Sequence, residues 1–142
     1  MFSAFCLSIL LGLTANAQSI TVCGGLTATQ MAQMLVGSNV TVSNATYTGA
    51  AGASGSFSQA TSTFPLSDGI ILTSGSINNA TGPNNSTGAS ASNNTPGDAD
   101  LNALVPGFNT FDAAVLEFDI VSNCNTVTFD YIFASEEYVE YG

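Results

Sequence analysis

Val115-Leu116-Glu117-Phe118-Asp119-Ile120-Val121 is followed, after Ser122-Asn123-Cys124-Asn125, by Thr126-Val127-Thr128-Phe129-Asp130-Tyr131-Ile132-Phe133-Ala134, and these two runs decide the fold. In the first, Leu116, Phe118 and Ile120 alternate with Glu117, Asp119 and Val121. A strand turns successive side chains to opposite faces, so this run predicts a half-buried strand with one acidic face. In the second, Val127, Phe129, Tyr131 and Phe133 alternate with Thr128, Asp130 and Ile132. The short polar link suits an antiparallel hairpin between the two.

Upstream, the pattern stays mostly at period two. Ser19–Val22 is a short β-prone start. Val40, Val42 and Tyr47 sit in a Thr- and Ser-rich run that predicts a strand, and Ser56–Gln59 predicts another. Pro65 and Asp68-Gly69 predict a turn before Ile70-Ile71-Leu72, a buried-type run ended by Ser74-Gly75. The helix-like exception is Thr27 to Gly37. Thr27 and Gln30 have the spacing of a capping box. Met31, Met34 and Leu35 are placed for one apolar face, and Gly37 for the stop. The expected fold is therefore mainly β, an antiparallel β-sandwich-like (jelly-roll-like) domain with one short N-terminal helix near residues 28–36. Residues 75–97 are polar and aperiodic, and loops of that length are usually functional or disordered.

Charge narrows the partners. The 142 residues include no Lys, Arg or His and ten acidic residues, a formal net charge of −10. Charged residues make up 7%, against about 25% in ordinary soluble proteins. Without cations the chain cannot neutralise phosphates, which excludes ordinary nucleic-acid binding and attraction to anionic membranes. A cationic partner, most simply a metal ion, is permitted. All ten acids fall between Asp68 and Glu140, so the first half must stay soluble through uncharged polar groups.

The N-terminus reads as an export signal. Phe5–Leu13 is apolar and is followed by Ala15-Asn16-Ala17, a small-residue cleavage pattern, so residues 1–17 are expected to be a signal peptide and 18–142 the mature domain. No segment approaches the ~18 apolar residues of a membrane-spanning helix. Cys6 leaves with the signal. Cys23 and Cys124 remain as an even pair in an oxidising compartment. One reading joins them in a disulfide, worth on the order of 4–5 kcal/mol for a loop of about a hundred residues. The other leaves two free, buried thiols.

Two acidic clusters could carry chemistry. Gly97-Asp98-Ala99-Asp100 puts two carboxylates on one flexible turn. Ser135-Glu136-Glu137-Tyr138-Val139-Glu140 crowds three into a strand end with no basic residue to relieve them. Such clusters are either solvated rims or metal sites. Calcium suits Asp98, Asp100, Glu136 and Glu137 best, because it takes many oxygens in irregular geometry. Glu117, Glu136 and Glu137 could also supply the paired acids of a glycoside hydrolase. Yet no Trp platform or Arg fixes a sugar, and no His is present for triad or zinc chemistry. No catalytic residue and no other cofactor is expected.

The order of motifs is more specific than any one of them. Leu66-x-Asp68-Gly69-Ile70-Ile71-Leu72-Thr73-Ser74-Gly75 is followed by Gly82-Pro83-Asn84 and by Gly97-Asp98-x-Asp100-Leu101. Asp112-Ala113-Ala114-Val115-Leu116-Glu117-Phe118-Asp119 comes next, and Phe129-x-Tyr131-x-Phe133-Ala134-Ser135-Glu136-Glu137-Tyr138 ends the series. Over residues 20–142 this succession resembles the choice-of-anchor L domain family of bacterial secreted proteins. The resemblance implies an extracellular or surface-anchored β-domain with variable C-terminal sorting tails, and no established activity. Family members continue into a further strand and a tail, so the domain is expected to be incomplete at its C-terminus and its anchor to lie outside this chain. The expected role is a non-catalytic adhesion, matrix-binding or scaffolding module, calcium-stabilised, with an extracellular protein or glycan as partner. The alternative is a secreted carbohydrate-active enzyme or carbohydrate-binding module.

Overall fold

A computed structural model describes residues 20–59, 65–82 and 88–135. The segment 1–17, expected to be a signal peptide, and the glutamates Glu136 and Glu137 lie outside the described residues. The described chain is mainly β, its sheets antiparallel and its helices few and short. Strands β1 (Ile20–Gly24), β3 (Ser54–Gln59) and β4 (Asp68–Leu72) form one sheet in the order β1-β3-β4. Strands β2 (Val40–Thr48) and β5 (Val115–Ser122) pair in a second.

Phe57 organises the three-stranded sheet. It lies on the central strand between Val22 of β1 and Gly69 of β4, and it is buried. A Cβ on Gly69 would sit 3.0 Å from the Phe57 ring, so the glycine leaves the space the ring occupies. Asp68 and Gly69, expected in a turn, are the first residues of β4. Ile70 and Ile71 are half-buried and Leu72 is exposed, so that run is less enclosed than its composition suggests.

The second sheet carries a bulge. Its register runs from Val40 opposite Ser122 to Thr48 opposite Val115, but β2 holds one extra residue between Ser43 and Thr46. Asn44 takes up that residue in the left-handed region, at φ 51°. Asparagine tolerates this conformation better than most residues. Its Nδ2 donates to Asp119 Oδ2 of the facing strand at 2.6 Å. The bulge keeps both halves of β2 in phase: Val40, Val42, Ala45 and Tyr47 are all on the less exposed side, with Leu116, Phe118 and Ile120 opposite.

Helix α1 (Ala28–Met34) starts with the capping box. Gln30 N donates to Thr27 Oγ1 at 3.2 Å, and Thr27 N donates to Gln30 Oε1 at 2.9 Å. The buried face differs from the expected one. Met31 and Ala32 are fully buried, Ala28 and Leu35 are half-buried, and Met34 is 45% exposed. Spacings of three and four from Ala28 through Leu35 define the face, and Met34 falls beside it. The helix also ends earlier, with Leu35 rather than Gly37 as its cap. It contacts β2 and β5 of one sheet and β4 of the other. The small core is completed by Ala53 and by Ile77, which opens a 3-10 turn at Ile77–Thr81 and packs beside Gly24 and Gly55 of the first sheet.

The expected hairpin after β5 does not form. Residues 126–134 adopt no strand, and β5 pairs with β2 instead. Their alternation is real, yet Phe129, Tyr131 and Phe133 are exposed. The disulfide is likewise not formed: Cys23 and Cys124 are free and exposed. Cys23 lies on β1 in the three-stranded sheet, and Cys124 follows β5 of the other. Being exposed, neither thiol is the buried small hydrophobe of the alternative reading.

Candidate functional site

Asp112 is the residue around which the candidate site is built. It is 9% exposed and sits at φ 53°, a backbone that Asp adopts more readily than most side chains. Four donors converge on its carboxylate. Thr95 N donates to Oδ1 at 2.7 Å and Thr95 Oγ1 to the same atom at 3.1 Å. Asn93 N and Ser92 Oγ donate to Oδ2, each at 3.1 Å. The Thr95 amide, above all, holds the Asp112 carboxyl below its ordinary 3.8; burial opposes this, and Asn93, Ser92 and the Thr95 hydroxyl reinforce it.

The main chain reinforces the clamp. Asp112 N donates to Thr95 O at 3.0 Å and Ala113 N to Pro96 O at 3.1 Å. Pro96 and Phe111 form an isolated antiparallel bridge. Asn93 Nδ2 donates to the carbonyls of Ser74 and Gly75, tying the same loop to the end of β4. The polar stretch that lacked periodicity is therefore fixed, in its second half, by side-chain and backbone bonds.

Within this clamp sits α2 (Ala99–Leu104), a helix that the sequence reading missed. Asp98 is its N-cap: Oδ1 accepts from Asp100 N at 2.9 Å and from Leu101 N at 3.1 Å. Asp100 occupies the first turn, where a negative charge meets the positive end of the helix dipole. The signal was present, since Asp before an apolar residue with a second acid in the first turn is a helix start. Thr110 closes the excursion. Its hydroxyl accepts from Asp98 N at 3.0 Å, and its amide donates to Asn102 Oδ1 at 2.6 Å. Gly97 lies so close to the Thr110 backbone that a Cβ would overlap it.

Thr48 and Gly49 at the end of β2, Pro96 to Asp98 and Asp100 on the clamped loop, and Glu117 on β5 border an open cleft of about 390 Å³. The fold thus brings Glu117, weighed from sequence only as one acid of the alternative glycoside-hydrolase reading, to the same cleft as Asp98 and Asp100. One oxygen of Asp98 is committed to the helix cap. Among the described residues no three acidic or thiol side chains are grouped to hold a metal ion. The cleft is acidic, and the chain has no basic side chain to offset it. It suits a cation or a polar ligand carrying positive charge.

The fold and cleft define an antiparallel β-domain whose longest loop is bolted to its sheets, and no helix among the described residues is long and apolar enough to cross a membrane. The choice-of-anchor L domain family matches residues 20–142, and the chain belongs to that family of bacterial secreted or surface-associated proteins. Neither a curated protein nor a solved structure matches it.

Proposed function

We propose that this chain is a non-catalytic binding or scaffolding module of the bacterial surface, with the acidic cleft beside α2 as its contact face. The observation behind the reading is the Asp112 clamp. A long polar loop costs conformational entropy to order, and here it is ordered where it walls a cleft. An extracellular protein or a glycan is the natural class of partner. In this reading the two sheets are the faces of a sandwich-like fold. Calcium, if it stabilises the domain, is held through Asp98 and Asp100, with Glu136 and Glu137 as further oxygen donors.

The test is a thermal melt of the intact chain in millimolar calcium and then in chelator, for wild type and for Asp98→Asn. Asparagine caps a helix as well as aspartate does, so this substitution removes charge and keeps the cap. A calcium-dependent rise in midpoint that shrinks in the variant supports the ion, since a ligand that prefers the native state stabilises it. An unchanged midpoint removes calcium and leaves the binding module. Turnover of any member of a polysaccharide panel by the intact chain would overturn the non-catalytic reading in favour of a carbohydrate-active enzyme.

A further inference from the structure

No residue from 97 to 111 is buried. Leu101, Leu104, Val105 and Phe108 are all exposed, Leu104 and Phe108 at 77% each. The half-buried residues of this excursion are Gly97, Asp98, Asn102 and Thr110, and they meet one another. Asp98 N donates to Thr110 Oγ1 at 3.0 Å. That hydroxyl donates in turn to Asn102 Oδ1 at 2.8 Å, and the Thr110 amide donates to the same oxygen at 2.6 Å. Gly97 admits the Thr110 backbone because it has no Cβ. Each of these bonds is internal to the excursion.

Polar bonds, rather than apolar packing, therefore hold the excursion shut. The net contribution of each is modest, because water takes its place on opening. Helix α2 has six residues, too few to persist by itself. Loss of the Thr110 bonds thus melts the helix as well, and the segment opens as one unit. The Asp112 clamp and the Pro96–Phe111 bridge rest on other groups, and β5 is paired with β2. The cleft then has a fixed wall, made by Thr48, Val115 and Glu117 on the strands, and a releasable wall that carries Asp98 and Asp100. We infer that residues 98–110 are a gate for this cleft, that they open together while the Pro96–Phe111 bridge stays closed, and that Thr110 is the latch. The inference adds a motion to the binding-module reading and requires no particular ligand.

Amide exchange of the intact native chain, in urea below its unfolding transition, is the test. The amides of Asp98, Leu101, Asn102 and Thr110 all donate within the excursion. They should share one opening constant, at least about a hundredfold larger than that of the β2 and β5 amides. The Asp112 and Ala113 amides, bonded to Thr95 and Pro96, should stay with the slower class. Thr110→Val removes the hydroxyl and keeps the branched shape. It should raise the opening constant of the gate about tenfold and leave β2 and β5 within about twofold of wild type. Thr110→Ser keeps the hydroxyl and should retain most of the protection. A single constant for gate and strands, unrelated constants within the gate, or release of Asp112 and Ala113 with it would each overturn the inference. So would a Thr110→Val effect that is absent from the gate or equal in the strands. No readout involves a ligand, so failure of the gate leaves the binding module standing, and failure of the cleft to bind leaves the gate.

Discussion

Thr95 and Asp112 hold one another through opposite groups: the Thr95 amide donates to Asp112 Oδ1 at 2.7 Å, and the Asp112 amide donates to Thr95 O at 3.0 Å. This reciprocal pair fixes the start and the end of the excursion that carries α2. Because the carboxylate also gathers Asn93 and Ser92, one side chain sets the path of the loop.

Asp112→Asn tests the clamp. Asparagine tolerates the left-handed backbone, so the substitution removes the anion without adding strain there. The melting midpoint should fall, and the amides of Asn93 and Thr95 should exchange faster while those of β5 change less. Unchanged exchange at both amides would contradict the clamp.

The same carboxylate gives the acid limb of stability a defined sign. Its native pKa lies below its ordinary 3.8. The stabilisation is therefore complete above the unfolded value and is lost as pH falls through the folded one. Urea midpoints measured on the way down from neutral pH should drop more steeply for wild type than for Asp112→Asn in that window. Parallel curves would mean that the group titrates alike in both states.

Asp98 separates capping from charge. Asp98→Ala should cost about 0.5–2 kcal/mol, and Asp98→Asn only a few tenths, both measured in chelator. Equal losses for the two would show that the negative charge, rather than the cap, is what α2 needs.

The face of α1 is tested by its two methionines. Met31 is fully buried, so Met31→Ala should destabilise by about 2–5 kcal/mol. Met34 is 45% exposed, and Met34→Ala should stay within about 0.5–1 kcal/mol of wild type. The reverse order in urea unfolding would restore the Met31–Met34–Leu35 stripe.

Cys23 and Cys124 should both be alkylated by iodoacetamide in the native protein without reductant, each detected by peptide mass spectrometry. Modification of the two only after reduction would establish the bond that the structure leaves unformed.

Legibility followed the range of the forces involved. Strand β5 and the start of α1 were readable because alternation and a capping box are local in sequence. The bulge at Asn44 was not, since one extra residue leaves too little pattern to distinguish it from polar noise. Helix α2 is a six-residue element, too short to display a period, and its cap was read as a metal ligand. Residues 126–134 expose the main limit. Alternation reports which face a strand would bury, whereas pairing depends on a partner that local sequence does not specify. For the site, Asp98, Asp100 and Glu117 were singled out from sequence, and their shared cleft came from the fold. Asp112 was visible within a family motif, but its role depends on donors seventeen to twenty residues away.

Within the long connection from β4 to β5, Pro96 and Phe111 bridge each other at the two ends of the excursion that carries α2. Everything between them is a cartridge whose two terminals meet at one socket. Because its two ends meet at that bridge, a change of length or sequence between them should leave the start of β5 in place. A domain wired this way can change what it presents to its surroundings while keeping its frame, and grafted segments between residues 98 and 110 are where such diversity could be built.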